Sequence, residues 1–215
     1  MTYFSVFQDK TSPLSLIPEY YEIFRYMGYS FKDRNLPEDE VRPVVYEVAA
    51  DFQKLIEPQS VYACYPLEIE NQTLKFADVQ IESKDLSRNL KRCKAVYLFA
   101  ATIGPLIDKE IQKMQRLNPV KAVVMQATGA MYIERYCDYL CDFFKTEAKK
   151  EMLLTKNRFS PGYGDVRLDQ QKNFFRLLDC KKIGLTLMDT LIMAPEKSVT
   201  AFVGVYDENS EKKYD

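Results

Sequence analysis

The sequence predicts an α+β fold with a mostly antiparallel sheet and several helices. Two observations carry this reading. Helical and strand-like patterns follow one another without regular β-α-β alternation. Alternating segments joined by turn residues also read as a hairpin, and hairpins build antiparallel ladders. The 215 residues suffice to bury one well-packed core, and residues 1–215 are read as one domain with no internal repeat.

Each element has its own warrant. Residues 1–17 read as irregular, with a short strand near Phe4–Phe7. Pro18 suits a first helical turn, "EYYEIFRYMGY" follows with Tyr20, Phe24 and Met27 at helical spacing, and Gly28 closes the helix. Pro37 and the acidic "EDE" open a second helix to about Ile56, with Pro43 in its first turns or at a kink. "SVYACYPLEIENQTLKFADVQI" reads as a hairpin of two alternating segments joined near Glu70–Asn71. "SKDLSRNLKRC" reads as a short helix capped by Ser83.

"KAVYLFAATIG" is a continuous apolar run of strand length, hence a buried strand. "GPLIDKEIQKMQRLN" is amphipathic, and "PVKAVVMQATGAMYIERYCDYLCDFFKTEAKKEML" carries the longest helical pattern. "LDQQKNFFRLLD" reads as another helix and "SVTAFVGVY" as a strand. The tail "DENSEKKYD", residues 207–215, is polar and expected to be disordered.

Composition narrows the function classes. A formal net charge of −1 gives no global field for nucleic acid. No apolar run reaches the roughly 18 residues that span a bilayer. The first residues lack the basic-then-apolar pattern of a secretion signal, so a cytoplasmic location is expected. Five cysteines (Cys64, Cys93, Cys137, Cys141 and Cys180) read as small buried thiols rather than a disulfide framework. Cys137 and Cys141 resemble half a zinc site, but there is no second pair and no histidine, so no metal is expected. With no histidine in the chain, histidine-based triads and histidine-ligated metals are excluded. Acid–base work would fall to Asp, Glu, Tyr, Lys or Cys.

Two neighbouring features stand out. On the long helix, Cys137 centres a buried stripe with Ala130, Ile133, Leu140, Cys141 and Phe144. Glu134 and Asp138 lie along one edge of that stripe, one turn apart. Two readings stand: carboxylates lining a pocket, or a solvated flank neutralised by Arg135 or Lys145. Gly129 in the same helix suits a close approach by another backbone or a ligand. After the helix comes "RFSPGYGD", residues 158–165. Pro161-Gly162 signals a turn, since Gly162 can take positive φ. A turn does not explain Arg158, whose planar fork suits a carboxylate or phosphate. Tyr163 offers a stacking face or a hydroxyl donor. A ligand loop and a plain turn with a surface arginine both remain open on these residues. Neither a Walker loop nor a dinucleotide fingerprint is present, and "LFAATIG" is a poor match to the glycine-rich turn of the usual S-adenosylmethionine-dependent methyltransferase.

The motif order adds to this. "R-x-S-P-G-Y-G-D", then "Q-K-x-x-F-x-x-L-D", "K-x-I-G-L-T-L" and "M-A-P-x-K-S-V-T-A", resembles the activation domain of cobalamin-dependent methionine synthase. The likeness covers about residues 95–206 and includes "FAATIGP" and "GAMYIERYCDYLCDFF"; in residues 1–94, the N-terminal helices and hairpin, "FRYMGY" fits short stand-alone members. The resemblance implies a twisted antiparallel sheet and an S-adenosylmethionine-binding part within 95–206. It implies that the chain supports reductive methylation of cob(II)alamin as a stand-alone reactivation subunit. Cobalamin would be held by a partner methionine synthase module, since this chain has no imidazole to offer cobalt. A flavodoxin or ferredoxin-type donor would supply the electron.

Carried over by motif, Arg158 resembles the arginine that pairs with the ligand's carboxylate. Pro161, Gly162 and Tyr163 would approach the ligand through the main chain, with Tyr163 on the cobalamin side. Asp138 is the best match for an acidic contact on the long helix, with Glu134 one turn away. Tyr206 or Tyr214 would stand for a C-terminal tyrosine contact. No catalytic nucleophile or base is required of the protein, whose work is positioning and electrostatics. Two alternatives accompany this reading: a reactivator of another corrinoid methyltransferase, and a non-catalytic corrinoid-cap module.

Overall fold

The computed structural model describes residues 3–29 and 38–207. The expectations for Pro37, Tyr214 and most of the polar tail lie outside these residues. Strand β1 (Tyr3–Lys10) leads to helix α1 (Tyr20–Tyr26), which starts two residues after Pro18, and Gly28 follows it at φ +90°. Helix α2 (Glu38–Leu55) runs through Pro43 near its start. Strand β2 (Gln59–Pro66) then enters the main sheet, and β3 (Glu68–Glu70), β4 (Thr73–Phe76) and β5 (Val79–Glu82) form a separate antiparallel sheet.

This corrects the expectation of one two-segment hairpin. β2 is buried on both faces, so it belongs inside a sheet. The expected turn stands between β3 and β4, where Asn71 and Gln72 take positive φ. Ser83 caps helix α3 (Lys84–Asn89) by accepting a 3.0 Å bond from the Leu86 amide.

The core is organised around strand β6 (Ala95–Thr102), all eight residues of which are buried. Alternation sends Ala95, Tyr97, Phe99 and Ala101 to one face and Val96, Leu98 and Ala100 to the other. Burial on both faces is the physical cause of its continuous apolar run. Helices α4 (Leu106–Leu117) and α5 (Pro119–Lys150) follow, and α5 opens with Pro119 in its first turn and an Asn118 cap on the Lys121 amide. Strand β7 (Leu153–Thr155), helix α6 (Gln171–Leu177), the short pair β8 (Thr186–Leu187) and β9 (Met193–Ala194), and strand β10 (Ser198–Asp207) complete the order. The main sheet runs β1-β2-β6-β10-β7 and is antiparallel throughout. Segments before and after residue 95 therefore share one sheet, joined where β2 pairs with β6.

One face of this sheet packs against α1, α2, α4 and α5. Phe144 of α5 stacks on Tyr97 with ring centroids 4.5 Å apart, and the Tyr132 hydroxyl donates to the Ala49 carbonyl of α2. The expected α5 stripe is broader than predicted. Ile133, Cys137, Leu140 and Phe144 are buried with Met131, Tyr132 and Tyr136, while Ala130 and Cys141 are only half-buried. The other face packs against the small sheet, α3 and α6. All five cysteines are free thiols; four are buried and Cys141 is half-buried. Among the described residues no helix is long and apolar enough to cross a membrane.

Candidate functional site

The site grows out of the edge of β10 that faces away from β6. β7 pairs with the end of β10 from Val205 to Asp207, and the chain continues alongside it. The Lys156 amide donates to Gly204 O at 2.9 Å, and Phe159 and Phe202 exchange both backbone bonds. This extended run alternates like a strand. Phe159 turns to the face covered by α6, and Arg158 turns to the face covered by α5.

There Arg158 meets the two carboxylates that the helical spacing aligned. Its Nη2 donates to Glu134 Oε2 at 2.5 Å and its Nη1 donates to Asp138 Oδ1. Neither of the neutralising candidates takes this role. Arg135 pairs with Glu19 at 2.8 Å and only reaches Asp138 at 4.0 Å, and Lys145 forms no ion pair with either acid. Burial works against the charge on Arg158, but the hydrogen bond to Asp138 and the charge of Glu134 outweigh it and hold its pKa above the ordinary arginine value. Two carboxylates and one guanidinium leave one net negative charge on the cluster.

Arg158 is a wall shared by two hollows. A cavity of about 370 Å³ is lined by Glu134, Arg158, Pro161 and Tyr163 together with Phe159, Ser160, Gln171, Met193, Ser198, Val199 and Thr200. Asp138 instead lines a hollow of about 480 Å³ on the other side, with Cys141, Lys145 and Asn157. The structure thus brings Glu134, Arg158, Pro161 and Tyr163 to one cavity and leaves Asp138 behind the guanidinium. Gly162 takes φ +92°, as its turn requires, but does not line the cavity. The Gly162 amide donates to Val166 O at 2.8 Å and the Tyr163 amide to Ser160 O at 3.2 Å. These two N–H groups therefore hold the turn and do not point at a ligand. Tyr163 is 68% exposed at the mouth.

Asp165 anchors the far end of the loop. It accepts from the Ser83 hydroxyl and from the Lys84 and Asp85 amides, at 2.7 and 3.2 Å for the amides, so it supplements the α3 cap. These bonds, the Ser83 bond first, hold its pKa below the usual carboxylate value. Gly129 provides the expected close approach, but to a side chain: a Cβ there would meet Lys197 Cε at 2.9 Å. Tyr206 lies outside the cavity, under the ammonium of Lys156 at 4.0 Å.

The remaining lining residues were assigned no site role in the sequence, although Ser160, Gln171, Met193, Ser198, Val199 and Thr200 are all letters of the quoted motifs. Two of them are buried with an unpartnered polar atom: Gln171 Oε1, in a residue 6% exposed, and Thr200 Oγ1, in a residue 2% exposed. A signal for both existed. Gln171 shares the α6 stripe of Phe174 and Leu178, and Thr200 alternates with Phe202 on an inward face of β10.

The fold has a solved counterpart. It is similar to the structure described as the MetH reactivation domain bound to AdoHcy, with a TM-score of 0.69, 16% identity, and coverage of 98% of this chain and 80% of that chain. The two share a fold. Identity at this level shows the fold and nothing finer. No family model and no curated protein matches the chain.

Proposed function

We propose that this chain binds S-adenosylmethionine in the Arg158 cavity and acts as a separate reactivation subunit for a cobalamin-dependent methionine synthase. The observation that carries the reading is the Arg158–Glu134 pair in the wall of a cavity bordered by the loop after Arg158, with Asp138 paired to Arg158 from behind. Its fit can be stated in charges. S-adenosylmethionine has an ammonium, a sulfonium and a carboxylate, hence one net positive charge, against one net negative charge on the cluster. Arg158 presents the planar fork that a carboxylate takes, and Glu134 is an acceptor for the ammonium. Binding exchanges charge partners: the ligand's carboxylate replaces one acid on Arg158, and its ammonium replaces Arg158 on that acid. The shared fold supports the reading, because the neighbour's structure contains AdoHcy, the molecule left when the methyl group departs.

Cobalamin, bound by the partner, would supply the cobalt that accepts the methyl group, with one electron from a flavodoxin or ferredoxin-type donor. This chain's residues bind, orient and shield. Tyr163, Leu168, Met188 and Ile192 are exposed side chains on the loop and on segments near the cavity, and offer apolar surface to a flat macrocycle. No proton transfer is asked of the protein.

The test mixes this chain with a cobalamin-loaded methionine synthase module, reductant and S-adenosylmethionine, and follows the cob(II)alamin absorbance. Its decay should require both this chain and the ligand. Decay at the same rate without the chain would refute the reading. A non-catalytic cap is the second reading, favoured by one observation: Arg158 already has both its edges satisfied by acids. A cap would bind the corrinoid module without binding S-adenosylmethionine.

A further inference from the structure

We infer that Gln171 and Thr200 form an adenosine-reading subsite at the end of the cavity opposite the charged cluster, with Gln171 selecting the 6-amino group of adenine. The inference rests on the proposed binding of an S-adenosyl ligand and adds which residues recognise its nucleoside. The cavity meets β10 at Ser198, Val199 and Thr200, beyond the Phe159–Phe202 pair. Glu134 and Arg158 belong to the α5 side. Gln171 opens α6, and Thr200 shares the β10 face of Phe202, which packs on Phe174 of α6. A cavity with ionised groups at one end and neutral amide and hydroxyl groups at the other suits a ligand with the same polarity. An S-adenosyl amino acid has it: a zwitterion at one end and a neutral, hydrogen-bonding nucleoside at the other.

The unpartnered atoms sharpen this. Buried polar groups are rarely left unpaired, because a lone acceptor forfeits its hydration without return. Here two such atoms, Gln171 Oε1 and Thr200 Oγ1, belong to residues that line one cavity. A carboxamide oxygen accepts only, so its missing partner is a donor. A side-chain amide pairs with adenine through both its atoms, accepting from the 6-amino group and donating to a ring nitrogen. Thr200 can both accept and donate, which fits a ribose hydroxyl. Phe159, Val199 and Met193 provide apolar lining for the base.

The test is calorimetric titration of S-adenosylhomocysteine and S-inosylhomocysteine, which carries a 6-oxo group in place of the amine, into wild type, Gln171→Met and Thr200→Val. Wild type should favour the adenosyl ligand by at least about tenfold. Gln171→Met should erase that preference, and Thr200→Val should weaken both ligands about equally. Neither substitution breaks a hydrogen bond of the free protein, so melting temperatures should stay equal or rise. Equal binding of both ligands by wild type, or a preference that survives Gln171→Met, overturns the inference and leaves the proposed function standing. Wild type that binds neither ligand overturns both. A melting temperature that falls with the affinity assigns these side chains a structural role and also overturns it.

Discussion

Replacing Arg158 by alanine should destabilise the protein even without a ligand. The side chain is 26% exposed, and its partners Glu134 and Asp138 are 40% and 49% exposed. Fully exposed pairs contribute about 0.2–1 kcal/mol, and loss of one partner of a buried pair costs about 3–5 kcal/mol. Each half-buried contact falls between these limits, near 1 kcal/mol, so the two together come to about 2 kcal/mol. The two carboxylates, left facing each other one helical turn apart, add a few tenths. For a chain of this length, a loss of that size lowers Tm by about 4–8 °C. Thermal and urea denaturation at low and high salt would measure it, and the difference should shrink as salt rises. Arg158→Lys should recover less than half of the loss, because a point charge cannot bridge both acids. Arg176→Ala serves as control: its pair with Asp78 is solvent-exposed and should leave Tm nearly unchanged. An unchanged Tm for Arg158→Ala, or a loss equal to that of Arg176→Ala, would refute the claim that the cluster is a partly buried ion network.

Three further outcomes follow from other contacts. Asp165 has a folded-state pKa below its ordinary value, so it contributes stability above about pH 4, lost as pH falls through the folded value. Asp165→Asn should therefore lower Tm at pH 7, and the gap to wild type should narrow as pH falls below about 4; a gap that does not narrow on acidification contradicts the assignment. Gly204→Ala would place a methyl group 2.5 Å from Cys93 Sγ and 2.7 Å from Leu90 Cδ2 in the buried core, at a cost of about 1–3 kcal/mol; urea unfolding with an unchanged midpoint would contradict that packing. Burial pushes the thiols of Cys64, Cys93 and Cys180 up to about 12 and that of Cys137 well above its ordinary value. At pH 8 a disulfide reagent should titrate at most Cys141 in the native protein and all five cysteines in denaturant; rapid native reaction of more than one would show that the core is open.

Much of the fold was legible because its signals are local. The eight-residue apolar run of β6, the Asn118-Pro119 start of α5 and the Ser83 cap of α3 each depend on neighbours within a few positions. The fate of β2 was not, because joining the central sheet rather than the β3–β4 turn depends on its pairing with β6 more than thirty residues later. The site divides the same way. Helical spacing aligned Glu134 with Asp138, and turn chemistry marked Pro161-Gly162. That Arg158 bridges those two acids depends on the loop running along the edge of β10, which no local pattern encodes. Gln171 and Thr200 were visible as letters of the quoted motifs and as polar residues on apolar faces, and became informative once the structure put both residues, each with an unpartnered polar atom, around a common cavity.

The most direct measurement is calorimetric titration of S-adenosylmethionine into wild type and Arg158→Ala. The account predicts binding in the micromolar range that weakens at least about tenfold in the variant, a cost of about 1.4 kcal/mol or more. Binding by the variant as tight as by wild type would make Arg158 a counter-ion for Glu134 and Asp138 only, and no binding by wild type would contradict the central claim that this cavity takes an S-adenosyl ligand.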